Sequence, residues 1–304
     1  MSKIVVKIGA SLGNQLFMFA NAFALSKIKD SALIIDDKSS FFRKKETTLE
    51  RVFGLNKFKI PHKHFSNENF YNSFFYLFLR KVFVFLDKFK NKKKFLIEHK
   101  INKIKTTNFK EINLRNYSPF VEVEGNYECE KYFLKYREDL QNLLIPNINL
   151  FNNSQIELHG KFKSMLISSN SISIHVRCNG YYGPAQTNYK RFDEIKISSQ
   201  ILYIQKAISY FNNIIDEPKF FVWSNNFNLV KEYFDDKIFT FIETSDRISD
   251  FSLFQYCNHF IVSPSTFHWM GAWLNNNSKK ICIRPEKMNP SNNLDFWPNH
   301  WIKI

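Results

Sequence analysis

The chain has 304 residues, 44% hydrophobic and 23% charged, and its 43 Lys and Arg against 28 Asp and Glu give a formal charge of +15 and a pI near 9.5. That balance is globular and excludes a disordered chain, and at roughly 150 residues per domain the length predicts two compact domains or one large α/β domain. Cysteines at 129, 178, 257 and 282, with no Cys-x-x-Cys pair and no His/Cys cluster, exclude a disulfide scaffold and a structural zinc site and point to a reducing compartment.

The opening Met1–Gly9 is too short and too polar for a secretory leader. No apolar run reaches the roughly 18 residues a membrane span needs; the best, from Tyr76, is broken at Arg80-Lys81 and Asp87-Lys88. A cytoplasmic protein is expected, one able to sit on the inner face of a membrane. Residues 3–8 read as a buried strand, followed by the loop Gly9–Asn14 and a helix from about Gln15 to Lys29. Leu16, Phe19, Ala20, Phe23 and Ala24 fall on one face of that helix. A strand at Ala32–Ile35 completes a β-loop-α-β opening. Residues 66–106, aromatic and then basic, read as helical, and Gly125–Leu140 reads as a turn entering a helix. The Asn-rich stretch 146–153 reads as a linker, dividing the chain into domains 1–150 and 151–304.

The second half alternates regularly. Strands are predicted at 171–176, 219–223, 238–242, 259–263 and 280–284, with helices at 200–212, 227–234, 249–257 and 266–275. Strict alternation with short connections implies an α/β fold, a parallel sheet covered on both faces.

Ligands of such sheets bind beyond the carboxyl ends of the strands, where loops meet helix N-termini. Polar loops occur there at His175–Tyr182, Ser224–Asn226 and Ser263–Trp273. They offer a fixed cation, Arg177, hydroxyls at a helix start, and amides, a set that suits a nucleoside diphosphate. The spacing Gly9-x-x-x-Gly13 is neither a dinucleotide fingerprint nor a Walker A loop. Trp269 and Trp273, one turn apart, read as core packing ahead of a sugar platform; Ser265 or Thr266 can cap a helix, or Ser265 meet phosphate or ribose, and Asn225 and Asn226 can form a capped loop.

Gly13-Asn14-Gln15-Leu16-Phe17 after an N-terminal strand resembles the Gly-Leu-Gly-Asn-Gln-Leu/Met-Phe opening of the α-1,2-fucosyltransferases, glycosyltransferase family 11. His175-Val176-Arg177 stands where that family has His-Val-Arg-Arg-Gly-Asp, and Ser224-Asn225-Asn226 where it has Ser-Asp-Asp. Gly125–Phe133 is similar to its Gly-Tyr-Phe-Gln-Ser-Glu-Lys-Tyr-Phe, and Ser263–Leu274 to its Asn-Ser-Ser-Phe-Ser-Trp-Trp-Gly-Ala-Trp-Leu. The blocks follow the family order from residue 4 to about 285.

The resemblance implies a GT-B-type enzyme with two Rossmann-like domains whose parallel sheets face a cleft, the first on the acceptor side and the second holding the nucleotide sugar. It implies an inverting transfer of fucose from GDP-fucose to a hydroxyl, galactoside O2, of a surface-glycan or lipid-linked oligosaccharide acceptor, with no metal or other cofactor. Arg177 and His175 would be catalytic, Arg177 stabilising charge on the leaving phosphate at about 3–4 kcal/mol. Arg177, Asn225, Asn226, Ser263, Ser265, Thr266, Gly13, Asn14 and Gln15 would hold the donor; Glu128, Tyr181 and Tyr182 would face the acceptor. His175 reads as a positioning group as readily as a proton acceptor, and no base is singled out among His175, Glu128, Glu130 and Asp193. Cys178 replaces the motif's second Arg, Gly180 falls where its acid is expected, and Asn225 and Asn226 replace both carboxylates. An Asn makes only a neutral, partly mismatched pair with guanine. The departures leave open another GDP-hexose or nucleotide sugar, or a silent relative that only binds. The basic stretch 80–105 reads as a solvated helix or as a peripheral contact with an anionic membrane. No nucleic-acid motif accompanies it.

Overall fold

A computed structural model describes residues 2–40, 53–65, 74–98, 108–178, 189–244, 246–291 and 293–304. The chain forms two units, Met1–Leu144 with Ser291–Phe296, and Ile145–Pro290 with Trp297–Ile304. The short C-terminal segment of the first unit is a crossing that no change of composition announces.

The first unit is built on a parallel sheet in the order β2-β1-β4-β3, with β1 at Lys3–Lys7, β2 at Ala32–Asp36, β3 at Lys93–Ile97 and β4 at Tyr117–Glu124. Ile4, Val5 and Val6 are buried, as a strand flanked on both sides requires. Helix α1, Leu12–Lys29, starts earlier than predicted because Ala10 takes a left-handed φ of 60° and turns the chain into the helix at Ser11. Almost every residue from Leu12 to Ser26 is buried.

Residues 66–106 are not one helix. Within the described residues, Phe74–Leu86 is helix α2, whereas Lys93–Ile97 is the edge strand β3. Phe95, Leu96 and Ile97 pack inward beside β4 while the lysines remain outside, so apolar burial sets the conformation of a segment whose charge dominates its sequence. Strand β4 is absent from the sequence reading because of Pro119. The structure accommodates it at a register irregularity, where Lys93 pairs Tyr117 but Phe95 already pairs Glu122. Helix α3, Arg137–Leu143, follows two short 3₁₀ turns.

The second unit begins with α4, Asn153–Ile167, whose capping box joins Asn152 and Gln155, so the predicted linker ends in a helix cap. Its sheet comprises β5 Asn170–Val176, β6 Pro218–Ser224, β7 Phe239–Phe241, β8 His259–Ile261, β9 Cys282–Arg284 and β10 Ile302–Lys303. All pairings are parallel, in the order β7-β6-β5-β8-β9-β10. Parallel neighbours need crossovers, and α5 (Tyr189–Ile214), α6 (Phe227–Val230), α7 (Arg247–Leu253) and α8 (Thr266–Leu274) provide them. On α5 the stripe Ile197, Ile201, Ile204, Ala207 and Phe211 joins Ile172, Ile174 and Val222 in the core. The predicted helix 227–234 stops at Val230, which is buried, and the chain turns there.

Candidate functional site

The strands of the second unit run outward from β5 in one direction and then, from β8, in the other. The order therefore reverses between β5 and β8, and in doubly wound sheets the carboxyl ends at such a reversal are where ligands bind. His175 and Arg177 close β5 there, and Ser263, Ser265 and Thr266 lead from β8 into α8.

His175 Nδ1 lies 2.9 Å from Ser263 Oγ. The Ser263 N–H donates to His268 Nδ1 at 3.3 Å, so the proton of His268 belongs on Nε2, which donates to Ser173 Oγ at 2.9 Å. The two imidazole centroids are 5.4 Å apart. Burial, reinforced by the Arg177 charge, pushes His175 down to about 3, and burial followed by the neighbouring His175 holds His268 well below its usual range. Both rings are neutral at physiological pH. They form a polar scaffold joining β5, β8 and α8, with His175 Nε2 as the ring's remaining hydrogen-bonding atom.

The Arg177 peptide is gripped from α5. Gln200 Nε2 donates to its carbonyl at 3.0 Å while Gln200 Oε1 accepts its N–H at 3.3 Å. The next N–H, of Cys178, donates to Asn225 Oδ1 at 2.9 Å, and the buried Cys178 Sγ meets Ser224 Oγ at 3.3 Å. Asn226 Oδ1 accepts from the Leu229 N–H at 3.3 Å as the N-cap of α6. Both Asn side chains thus engage backbone.

At α8, Ser265 occupies the N-cap position but its side chain makes no capping bond. The first-turn N–H groups keep their positive dipole end without that cap. Gly271 lets α8 approach Phe254; a Cβ there would lie 2.4 Å from the Phe254 ring. Trp269 and Trp273 stack at 6.0 Å in the core, both essentially unexposed, so neither offers a sugar platform. Beyond β7, Asp250 accepts from Thr244 Oγ1 at 2.7 Å, and burial, opposed by that bond and aided by Asp246, pushes it up to about 7.

The first unit reverses its strand order between β1 and β4, and its polar residues gather there. Asn14 Nδ2 donates to Glu128 Oε1 at 2.8 Å, Asn126 Nδ2 to the same oxygen at 3.2 Å, and Ser291 also bonds the carboxyl. Burial nonetheless raises Glu128 to about 7. Gly125, at φ +144°, makes the turn possible, since a Cβ would lie 2.4 Å from Glu98 Cβ. Glu98 in turn accepts the N–H groups of Asn126 and Tyr127 at 2.8 and 3.1 Å. Gln15 is wholly buried and spans backbone groups, donating to Ala10 O at 3.0 Å and accepting from Gly54 N at 2.9 Å. Gly13 lies in the buried first turn of α1.

The predicted residues therefore fall into two groups. His175, Arg177, Asn225, Asn226, Ser263, Ser265 and Thr266 share the carboxyl edge of the second sheet; Gly13, Asn14, Gln15 and Glu128 share that of the first. Gly180, Tyr181 and Tyr182 lie outside the described residues. Gln200, His268 and Asp250 were missed as site residues; His268 alone carried a signal, lying in the loop already singled out.

Residues 3–303 match the family Glycosyl transferase family 11. An alpha-1,2-colitosyltransferase of Escherichia coli is 27% identical over 314 aligned residues, covering 100% of this chain and 99% of that protein. The O-antigen biosynthesis glycosyltransferase WbnK of Escherichia coli is 26% identical, covering 96% and 98%. Among solved structures, an Arabidopsis thaliana FUT1 mutant in complex with GDP superposes with a TM-score of 0.53 at 13% identity, covering 95% of this chain and 71% of that one. NodZ alpha-1,6-fucosyltransferase soaked with GDP-fucose gives 0.50 at 14%, covering 90% and 92%. The fold is accordingly the GT-B type, with a parallel α/β sheet in each unit.

Proposed function

The chain belongs to glycosyl transferase family 11, and from that premise we propose that it transfers fucose from GDP-fucose to a galactoside O2 hydroxyl of a surface-glycan acceptor. The second unit is proposed as the donor domain and the first as the acceptor domain. The reading rests chiefly on the placement of Arg177 after β5 and of the α8 N-terminus after β8, the two strands between which the order reverses. That is where a pyrophosphate fits a doubly wound sheet.

In the proposed step the acceptor oxygen bonds to C1 of the sugar as the bond from C1 to the phosphate oxygen breaks, and that electron pair leaves on GDP. Arg177 and the α8 N–H groups bear the charge growing on the leaving phosphate, without a metal. His175, neutral and tied to Ser263, serves as a hydrogen-bonding partner and not as a proton acceptor. Glu128 is the proposed acceptor-side carboxyl, titrating close to neutrality, so its ionised form is available to take the hydroxyl proton. Guanine presents N1–H and N2–H₂ donors that call for a carboxylate. With Asn225 and Asn226 committed to backbone, Asp250 at the same sheet edge is the proposed reader of the base.

The relative named for colitosyl transfer supports a second reading, in which the donor is another GDP-hexose. An acceptor carried on lipid places the enzyme at the inner face of a membrane. The test is thermal stabilisation by GDP, UDP, ADP, CMP and NAD, each with EDTA or Mg²⁺, followed by turnover of GDP-sugars with glycan acceptors. GDP alone should raise the midpoint, with EDTA making no difference. Stabilisation by another nucleotide overturns the guanine assignment, and silence across the panel overturns the donor site.

A further inference from the structure

Among the described residues, helix α2 packs on its sheet through one face. Tyr76, buried, packs on Val5 with Leu77, Ile34 and Phe120. One turn on, Arg80 bonds Glu122 at 2.9 Å and Glu124 at 2.7 Å on β4. These contacts fix the rotation of the helix and leave the opposite face outward. That face carries Phe75, Phe78, Val82, Phe85 and, in the turn that follows, Phe89, at i, i+3, i+7, i+10 and i+14, with exposures of 67, 60, 41, 57 and 76%. A helix packed on a sheet ordinarily presents polar residues there.

Between Phe75 and Lys94 every exposed charge is positive. Lys81, Lys88, Lys90, Lys92, Lys93 and Lys94 are all exposed. The acid of this stretch, Asp87, is turned inward at 4% exposure, accepting the N–H groups of Lys94 and Phe95. Lys93 and Lys94 also guard an edge strand against pairing with another chain. That function accounts for neither the other lysines nor an aromatic ridge left in water.

We propose that α2 and the turn after it form a membrane-docking element, laying the ridge Phe75-Phe78-Val82-Phe85-Phe89 into the interface of an anionic bilayer while the flanking lysines meet lipid phosphates. An exposed apolar stripe whose own segment exposes only lysine charge complements such a surface in both polarity and sign. At 13 residues, about 20 Å long, α2 lies in the plane of the interface, being too short to cross a hydrocarbon core of about 30 Å. No described helix is long and apolar enough to cross a membrane. The proposal deepens the membrane-face location given above and rests on that reading for the identity of what the enzyme meets there.

The experiment is sedimentation of the purified full-length protein with vesicles of phosphatidylcholine, with and without phosphatidylglycerol. It compares the wild type with Phe78→Ser/Phe85→Ser/Phe89→Ser and with Lys88→Glu/Lys92→Glu. Wild type should bind the phosphatidylglycerol vesicles, more weakly as salt rises, and each variant at least about tenfold less, with unchanged thermal midpoint and unchanged stabilisation by GDP. Equal binding by wild type and the aromatic variant, or binding indifferent to phosphatidylglycerol, overturns the proposal. So does a wild-type dimer that ignores vesicles and becomes monomeric in the aromatic variant, since the ridge is then an interface between copies. Loss of the GDP effect in the wild type strikes the donor reading and leaves the vesicle result standing.

Discussion

At the carboxyl edge of β4 a carboxyl group is buried among amide donors, whereas at that of β5 two uncharged imidazoles are buried beside an arginine and a helix N-terminus. Desolvation drives both edges toward neutrality, but from opposite directions. Glu128 is raised from 4.5 to about 7, so its contribution to stability is complete below about 4.5 and is lost as pH rises through 7. His175 is lowered from 6.5 to about 3, so its contribution is complete above 6.5 and is lost as pH falls toward 3. An edge where Arg177 and a helix N-terminus stand beside two neutral imidazoles is suited to receive an anion. An edge holding a weakly acidic carboxyl is built to exchange hydrogen bonds and protons with hydroxyl groups. The division of labour between donor and acceptor units is proposed on that contrast.

The largest test removes the cation. Arg177→Ala should lower turnover by about 100-fold or more if, as proposed, its side chain bears the charge that develops on the leaving phosphate. The fold should persist in the variant, since Gln200 holds the peptide of residue 177 through both its carbonyl and its N–H. A variant turning over at close to the wild-type rate removes Arg177 from the mechanism.

The next test acts on the other edge. Glu128→Gln keeps an oxygen to accept from Asn14 but cannot ionise. A rise from 4.5 to about 7, at about 1.4 kcal/mol per pH unit, bounds the gain in stability above pH 7 at about 3 kcal/mol, with none below pH 4. Midpoints measured from pH 4 to pH 9 should therefore diverge upward from those of the wild type, and the rise of wild-type kcat/KM through pH 7 should flatten. Parallel curves would mean that the carboxyl is ionised in the native protein and that the two edges differ less than their burial indicates.

The two edges were also unequally legible in sequence. Beyond residue 170 each strand is a short apolar run that ends in polar residues, and one sheet buries nearly all of them, so His175, Arg177 and Ser263 could be located from strand ends alone. In the first unit the central strand β4 hides behind Pro119, and the edge strand β3 behind its lysines, because a register irregularity and an exposed edge tolerate what a strand interior does not. Without β4 nothing shows that Glu128 faces Asn14, a contact spanning 114 residues. Gln200 and Asp250 were illegible for a different reason: each sits within a helix, where a Gln or an Asp usually faces water, and only the fold turns them inward.

The smallest expected effect concerns Asn226, and it separates bracing from ligand contact at the donor edge. Its Oδ1 caps a helix of four residues at 3.3 Å, and its N–H donates to Ser224 Oγ at 3.0 Å, close to the contact between Cys178 and Ser224. A cap of this kind is worth about 1 kcal/mol, so Asn226→Ala should lower stability by about that amount. GDP should stabilise the variant as it does the wild type, because the backbone of Arg177 is held independently by Gln200. Asn225→Asp retains an oxygen for the Cys178 N–H and should likewise leave nucleotide preference unchanged. If either substitution shifts the apparent Kd for GDP by tenfold, about 1.4 kcal/mol, the amides reach the nucleotide and share with Asp250 the reading of its base.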